Sequence, residues 1–490
     1  MRYTHWFAAA VVGTMGLSAC TLEPAYVRPA APMPAPSAVG VGVGMTPAID
    51  VGWRDFFPDP QLQRLIALAL SSNRDLRVAA LDVETAQAQY RIQRADLFPT
   101  IAASGVEQAE LLPAGVVDPA APGNGSSPES TRSGSILRNY NVGVGFTGFE
   151  LDLFGRLRSL SHAALEQYLG SEETRRSVQI TLVAEVANTY VTVLADQTLI
   201  DITRQTLQNQ SDSYALTKQM FDVGATTELA LRQAETTVDT AKASLAQYTR
   251  QMAQDRDALQ LVLGAPIPAD IDFSAGLDRD AIVSEIKMEI PSTVLVQRPD
   301  VLAAERQLRA ANADIGAARA AFFPTISLTG NFGTMSAALS GLFKNGSRSW
   351  AFAPQISIPI FTAGANSGNL RVAELTRDAA VAQYEKSIQV AFREVADALA
   401  ARDTLDEQWA AQAALVTASK DAYRLADMRF HGGVDGYLST LDAQRALYGA
   451  QQQLQSVRLL RLENRITFYK VLGGGMEENS ATASAAGTAH

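Results

Sequence analysis

The segment Phe430–Arg445, FHGGVDGYLSTLDAQR, has a counterpart 209 residues earlier, FDVGATTELALRQAET at Phe221–Thr236. Phe221 answers Phe430, Gly224 answers Gly433, Leu229 answers Leu438 and Ala234 answers Ala443. In both, a glycine stands where a helix can end in a left-handed residue. A residue able to cap the next helix follows it, Thr226 or Thr227 in one copy and Asp435 in the other. Each stretch reads as a helix–turn–helix. The chain carries this unit twice and alters only part of its polar lettering.

The duplication extends outward from these turns. The offset of 209 holds through Leu245/Leu454, Leu263/Leu472 and Gly264/Gly473. On the N-terminal side, LFPTI at 97–101 recurs as FFPTI at 322–326, an offset of 225, and Asp75/Asp300, Ala88/Ala313 and Arg94/Arg319 keep it. The difference of 16 residues is an insertion between Gly105 and Asn139, where PAGVVDPAAPGNGSSPESTRSGS has loop composition. The chain is therefore two copies of helix–strand–loop–strand–helix–helix. Repeat 1 covers 58–265, with strands near 99–108 and 139–153 and a long helical hairpin near 156–263. A linker takes 266–291. Repeat 2 covers 292–472, with strands near 325–333 and 350–361 and a hairpin near 366–472, and 473–490 reads as a flexible tail.

The long helices follow from what is missing. Between Arg156 and Asp222, and again between Asn366 and Phe430, there is one glycine and no proline. At steps of seven the first gives Val186, Val193, Ile200, Leu207, Tyr214 and Phe221; the second gives Val395, Arg402, Trp409, Val416, Tyr423 and Phe430. A heptad register so sustained is a coiled-coil pattern. About 65 residues of helix make a rod of roughly 100 Å.

The strands alternate with period two. Trp350, Phe352, Ile356, Ile358 and Ile360 fall on one face, opposite Ser349, Ala351, Gln355 and Ser357. Tyr140, Val142, Val144 and Phe146 oppose Asn139, Asn141, Gly143, Gly145 and Thr147; Ile326, Leu328 and Phe332 oppose Ser327, Thr329, Asn331 and Gly333. About ten residues, apolar on one side and small or polar on the other, suit a transmembrane barrel strand, and a half-buried soluble sheet has the same period. Four strands are too few to close a barrel, and an open edge in lipid leaves backbone groups unsatisfied. Copies must pool strands, eight from two chains or twelve from three.

Composition excludes several classes. With 51 acidic against 41 basic residues, the chain lacks the basic balance of a phosphate-backbone binder. The four histidines are scattered, there is no HExxH or GxxxxGK[ST], and no nucleophile–base pair can be assembled. The reading is a non-enzyme without metal or cofactor. The one cysteine, Cys20, rules out an internal disulfide. It follows an N-terminal apolar run from Trp6 to Leu17, twelve residues, too short to span a bilayer as a helix. Leu17-Ser18-Ala19-Cys20 is similar to a bacterial lipobox, which makes 1–19 a signal peptide and Cys20 the acylated first residue. An ordinary signal peptide with an incidental cysteine is the alternative. Several acyl chains give stable anchoring where one does not. Residues 20–57 then form a lipid-anchored, extended lead-in.

GWRDFFPDPQLQRLIALALSSNRDL at 52–76, the paired FPTI segments, GVDGYLSTLDAQRALYGAQ and the closing LGGG resemble the TolC-like outer membrane efflux proteins. Within them they resemble the lipoprotein branch of OprM and NodT type, over nearly the whole mature chain. The resemblance implies a mixed membrane protein: a homotrimer whose four strands per chain make a twelve-stranded transmembrane β-barrel continuous with a long periplasmic α-helical barrel. It implies a passive duct, lipid-anchored in the bacterial outer membrane, that exports small molecules and drugs. Its partners would be outer membrane lipid, a periplasmic adaptor and an inner-membrane pump of RND type. A conduit for type I protein secretion is the second reading, and a lipid-anchored coiled-coil scaffold of the periplasm the third.

Under this resemblance the repeated turns form the periplasmic mouth. Gly224, Ala225, Thr226, Gly433, Val434 and Asp435 would dock the adaptor. The GVDxYLxxLDAQR segment would carry the gate, which places Leu438 and Asp442 at the narrowing, with Arg445 and Arg232 as candidate salt-bridge partners. Gln233 answers Asp442 in the first copy and is neutral. From the residues alone, Asp442 also reads as a solvated position near a helix start.

Overall fold

The computed structural model describes residues 21–30, 32, 51–113, 135–278, 283 and 296–480. The signal peptide, Cys20, most of the inserted loop, the later part of the linker and the last ten residues of the tail lie outside the described residues. The chain divides into two compact units. One takes Met1–Arg28, Thr85–Tyr168 and Gln307–Ala380; the other takes Pro29–Glu84, Leu169–Arg306 and Val381–His490.

The first unit contains an antiparallel sheet in the order β1 (Ala102–Leu112), β2 (Ser135–Leu151), β3 (Thr325–Ser336), β4 (Arg348–Ser357). Register aligns Ala103, Val144, Phe332 and Trp350 in one row, all on one face. That face is exposed: Phe332 by 65%, Trp350 by 78% and Ile356 by 63%. The opposite face is built for close approach. A Cβ on Gly145 would stand 2.2 Å from the Gly330 carbonyl oxygen, and one on Gly333 would stand 2.2 Å from that of Val142. Between Phe146 and Phe149 the register shifts at Gly148, whose φ of +69° suits glycine. β4 ends at Ser357, before Ile358 and Ile360, because Pro359 has no N–H for the ladder. Pro354 lies inside β4, opposite Leu328 of β3.

The second unit is helical. It holds α1 (Trp53–Phe56), α2 (Pro60–Ser72), the first half of α3 (Arg74–Ala95) as far as Glu84, and α5 (Glu228–Leu263) and α8 (Tyr437–Val471). α4 (Arg156–Asp222), α6 (Pro299–Ala320) and α7 (Ala365–His431) each run through both segments of chain. The elements recur in order with matched lengths: 22 residues in α3 and α6, 67 in α4 and α7, 36 in α5 and 35 in α8. One tertiary bond recurs as well. The Asn73 amide donates to the Val262 carbonyl at 2.8 Å, and at the matching position the Arg298 guanidinium donates to the Val471 carbonyl at 3.0 Å. Arg298 also reaches Asp300 and Glu394, each at 2.7 Å.

The core of this unit gathers Trp53, Phe56, Phe57, Leu62, Leu65 and Ile66 against Tyr190, Leu194, Leu259 and Tyr469. Asp59 caps α2 through the Gln61 amide and accepts from the buried Tyr190 hydroxyl at 2.9 Å. Phe56 stacks on Tyr469 with centroids 3.9 Å apart, and the Tyr469 hydroxyl donates to the Val51 carbonyl. The extended lead-in expected up to residue 57 therefore already belongs to the core at Val51–Phe57. The expected flexible tail needs the same correction: over 473–480 it is held, with the Trp53 and Arg54 amides donating to the Glu477 and Glu478 carbonyls and Arg54 paired to Glu478 at 2.7 Å.

The heptad register decides burial in part. Val186, Val193 and Ile200 are buried on α4, and Tyr384, Ile388, Ala391, Val395 and Ala398 form a buried seam on α7. Beyond Ala398 that seam opens, and Arg402 and Trp409 are exposed. One stretch of α4 is long and apolar enough to cross a membrane, yet 61% of it is buried inside the protein, as in a core helix.

Candidate functional site at the paired helical turns

Both turns close as their glycines demand. Gly224 has φ +76° and Gly433 φ +67°, and the amides after them return to the helix, Ala225 to Met220 at 2.7 Å and Val434 to Arg429 at 2.9 Å. Thr227 caps α5 through the Ala230 amide. The second turn is built differently. Its N-cap is Gly436, without a side-chain bond, so Asp435 is not the cap that the sequence suggests. Arg429 takes that carboxylate instead, donating through both Nε and an Nη at 2.5 and 2.9 Å. These hydrogen bonds hold the Asp435 carboxyl below its ordinary range. A two-pronged ion pair across the turn replaces the cap, because Arg429 lies in the last turn of α7 and reaches the returning chain.

Behind the turns lies a small apolar cluster. Ala234 of α5 meets Tyr437 and Leu441 of α8, with Tyr214 of α4 and Phe430 of α7 packed against them. Thr440 donates to the Ala426 carbonyl at 3.2 Å. Further along, Tyr448 meets Thr203 at 3.0 Å, and Gln452 donates to Tyr248 at 2.8 Å. α8 thus has two faces. Tyr437, Leu441 and Gln444 are buried; Leu438, Asp442 and Arg445, at spacings of four and three, form an exposed stripe. Leu438 is 55% exposed. Within the described residues neither Asp442 nor Arg445 has an ion pair. Arg232 does: it pairs with Glu235 at 2.8 Å and Glu228 at 3.5 Å on its own helix.

The structure therefore brings Leu438, Asp442 and Arg445 onto one free face and leaves Arg232 on another helix with partners of its own. Arg429 was not legible from the motif, although an arginine six residues ahead of an aspartate across a Gly-Gly turn is the available signal. Among the described residues no group of His, Cys, Asp and Glu side chains could hold a metal.

A family model described as outer membrane efflux protein matches residues 65–265 and 290–474. The chain belongs to the outer membrane efflux protein family. This efflux protein is 46% identical over 473 residues to the probable efflux pump outer membrane protein TtgC of Pseudomonas putida, covering 96% of this chain and 95% of that one. It is 43% identical over 479 residues to outer membrane protein OprJ of Pseudomonas aeruginosa, with 98% of each chain covered. Among solved structures it resembles the open state of the MtrE outer membrane channel of Neisseria gonorrhoeae, at 39% identity and a TM-score of 0.83 over 94% of this chain and all of that one. It likewise resembles CusC, at 38% identity and a TM-score of 0.80 over 93% of this chain and all of that one. The protein is an outer membrane efflux channel, a transport duct rather than an enzyme.

Proposed function

We propose that three copies of this efflux protein pool their sheets into a twelve-stranded barrel and their long helices into a periplasmic tube. One observation carries the reading: a four-stranded sheet with β1 and β4 as its edges and an apolar face turned outward. In lipid such edges need partners, and identical copies supply them. The exposed stretch of α7 beyond Ala398 gives the helices a matching unfilled seam. Acyl chains on Cys20 add the lipid anchor.

In the trimer, the Leu438–Asp442–Arg445 stripes of three α8 helices converge at the periplasmic mouth. Leu438 narrows it, three Asp442 carboxylates favour cations, and Arg445 pairs across to a neighbouring copy. A periplasmic adaptor grips the turns at Gly224–Thr226 and Gly433–Asp435 and draws the helices apart. An RND-type pump in the inner membrane supplies energy, and the cargo is small molecules, a reading supported by similarity to an antibiotic and a toluene efflux pump outer membrane protein of Pseudomonas putida. Size determination with bilayer conductance tests this: a trimer is expected, with Leu438→Ala/Asp442→Ala conducting more than wild type. A monomer without conductance overturns the assembly, and an unchanged double variant overturns the gate.

A further inference from the structure

Residues 22–26 run along two helix stripes within the first unit. On α6 the stripe is Arg309, Asn312, Gly316 and Arg319; on α4 it is Ser159, His162 and Glu166. Spacings of three and four put each set on one helix face. The Leu22 carbonyl accepts from Arg319 at 3.4 Å, and the Pro24 carbonyl accepts from the Asn312 amide at 2.8 Å. The Arg309 guanidinium covers the Tyr26 ring at 4.8 Å. Both Glu23 carboxylate oxygens lie 3.1 Å from His162 Nδ1, and His162 Nε2 lies 3.6 Å from the buried Glu166. At Gly316 the segment comes so near that a Cβ would stand 2.9 Å from the Glu23 Cα.

The duplicated sequence shows that this groove is specific. At the matching positions His162 is answered by Arg371, Glu166 by Leu375 and Gly316 by Arg91. The equivalent surface of α7 and α3 keeps a cation at Arg371 but lacks the Glu166 carboxylate and the gap at Gly316. Pairing with Glu166 and Glu23 pushes the His162 imidazole up to about 10, so it is charged throughout the neutral range.

We infer that this groove is a docking site for the chain's own N-terminus, with His162 as its positioning residue. It fixes where the chain leaves the fold towards residue 20. Arg319 stands six residues before Thr325, where β3 begins, so the exit lies at the foot of the sheet. Resting on the acylation of Cys20 proposed above, the acyl chains then enter the bilayer at a set point beside the barrel, where a free tether would let them wander.

Hydrogen exchange of the amides of residues 22–27 in the full, detergent-solubilised chain tests this, beside the mass of the N-terminal peptide. Exchange at least tenfold faster is expected in His162→Ala and in Glu23→Ala, which alters only the docked segment. Protection near wild type is expected in His162→Arg, which keeps the charge, and in Cys20→Ser. Unchanged exchange in both alanine variants overturns the groove. Loss of protection in Cys20→Ser also overturns it, because lipid would then be holding the segment. Absence of an acyl mass overturns the anchoring consequence and the reading of Cys20 beneath it, whatever the exchange shows.

Discussion

Leu441→Ala probes what holds the turns together. The Leu441 side chain is 0% exposed and sits with Ala234, Tyr437, Tyr214 and Phe430. Truncation removes three carbons from this cluster, about 2.5 kcal/mol at ~0.8 kcal/mol per buried carbon, before any cavity left behind adds to it. If α8 must leave the cluster for its first turns to open, that loss raises the open population about 60-fold, at roughly tenfold per 1.4 kcal/mol. The assay is hydrogen exchange of amides 437–445 under conditions where closing outpaces exchange, read beside bilayer conductance. Leu438→Ala is the control: its exposed side chain predicts little change in exchange and a change in conductance only. Equal protection of 437–445 in Leu441→Ala and wild type would refute the assignment of the cluster as the clasp.

Burial and the neighbouring Asp255 carboxylate push the Asp196 carboxyl up to about 8, so between about pH 4 and pH 8 folding takes up a proton and stability falls as pH rises. Asp196→Asn is expected to flatten that slope in thermal unfolding followed from pH 5 to pH 8. Gly145→Ala drives a Cβ to 2.2 Å from the Gly330 oxygen, and the strained β2–β3 pair is expected to lower the yield of heat-modifiable assembly on gels. Arg298→Ala removes bonds to Asp300, Glu394 and Val471 from a side chain only 10% exposed. A loss of about 2–3 kcal/mol is expected, short of a fully buried pair because both carboxylates are partly solvated, and limited proteolysis with thermal unfolding checks it.

Much of the fold was legible because it is periodic. Heptads placed α4 and α7 within a residue or two, the glycines placed both turns, alternation placed three of the strands, and the repeated FPTI segment placed β1. Where sequence reading failed, the cause was a contact between residues distant along the chain. Asp435 has the chemistry of a cap, and only the folded turn shows that Arg429 claims it first. Residues 473–480 have a tail's composition and become ordered by pairing with Trp53 and Arg54, more than four hundred residues away. His162 looked like one scattered histidine of four, because its partner Glu23 lies 139 residues off. β1 begins at Ala102, later than expected, although after the same motif β3 begins at Thr325. At the proposed gate, the stripe of Leu438, Asp442 and Arg445 follows from helical spacing. Its freedom within one chain does not, since that depends on Tyr437 and Leu441 taking the packed side.

The identical length of α4 and α7, 67 residues each, limits how such a protein can evolve. One residue inserted in either helix would turn everything beyond it by about 100° and advance it by 1.5 Å. The two turns would lose their common level, and every downstream heptad would face the wrong neighbour. Viable length changes must therefore come in paired blocks of about seven, entering both halves at once. Length differences between the halves are accommodated at the joints, as in the sixteen-residue excess between the strands of the first half alone.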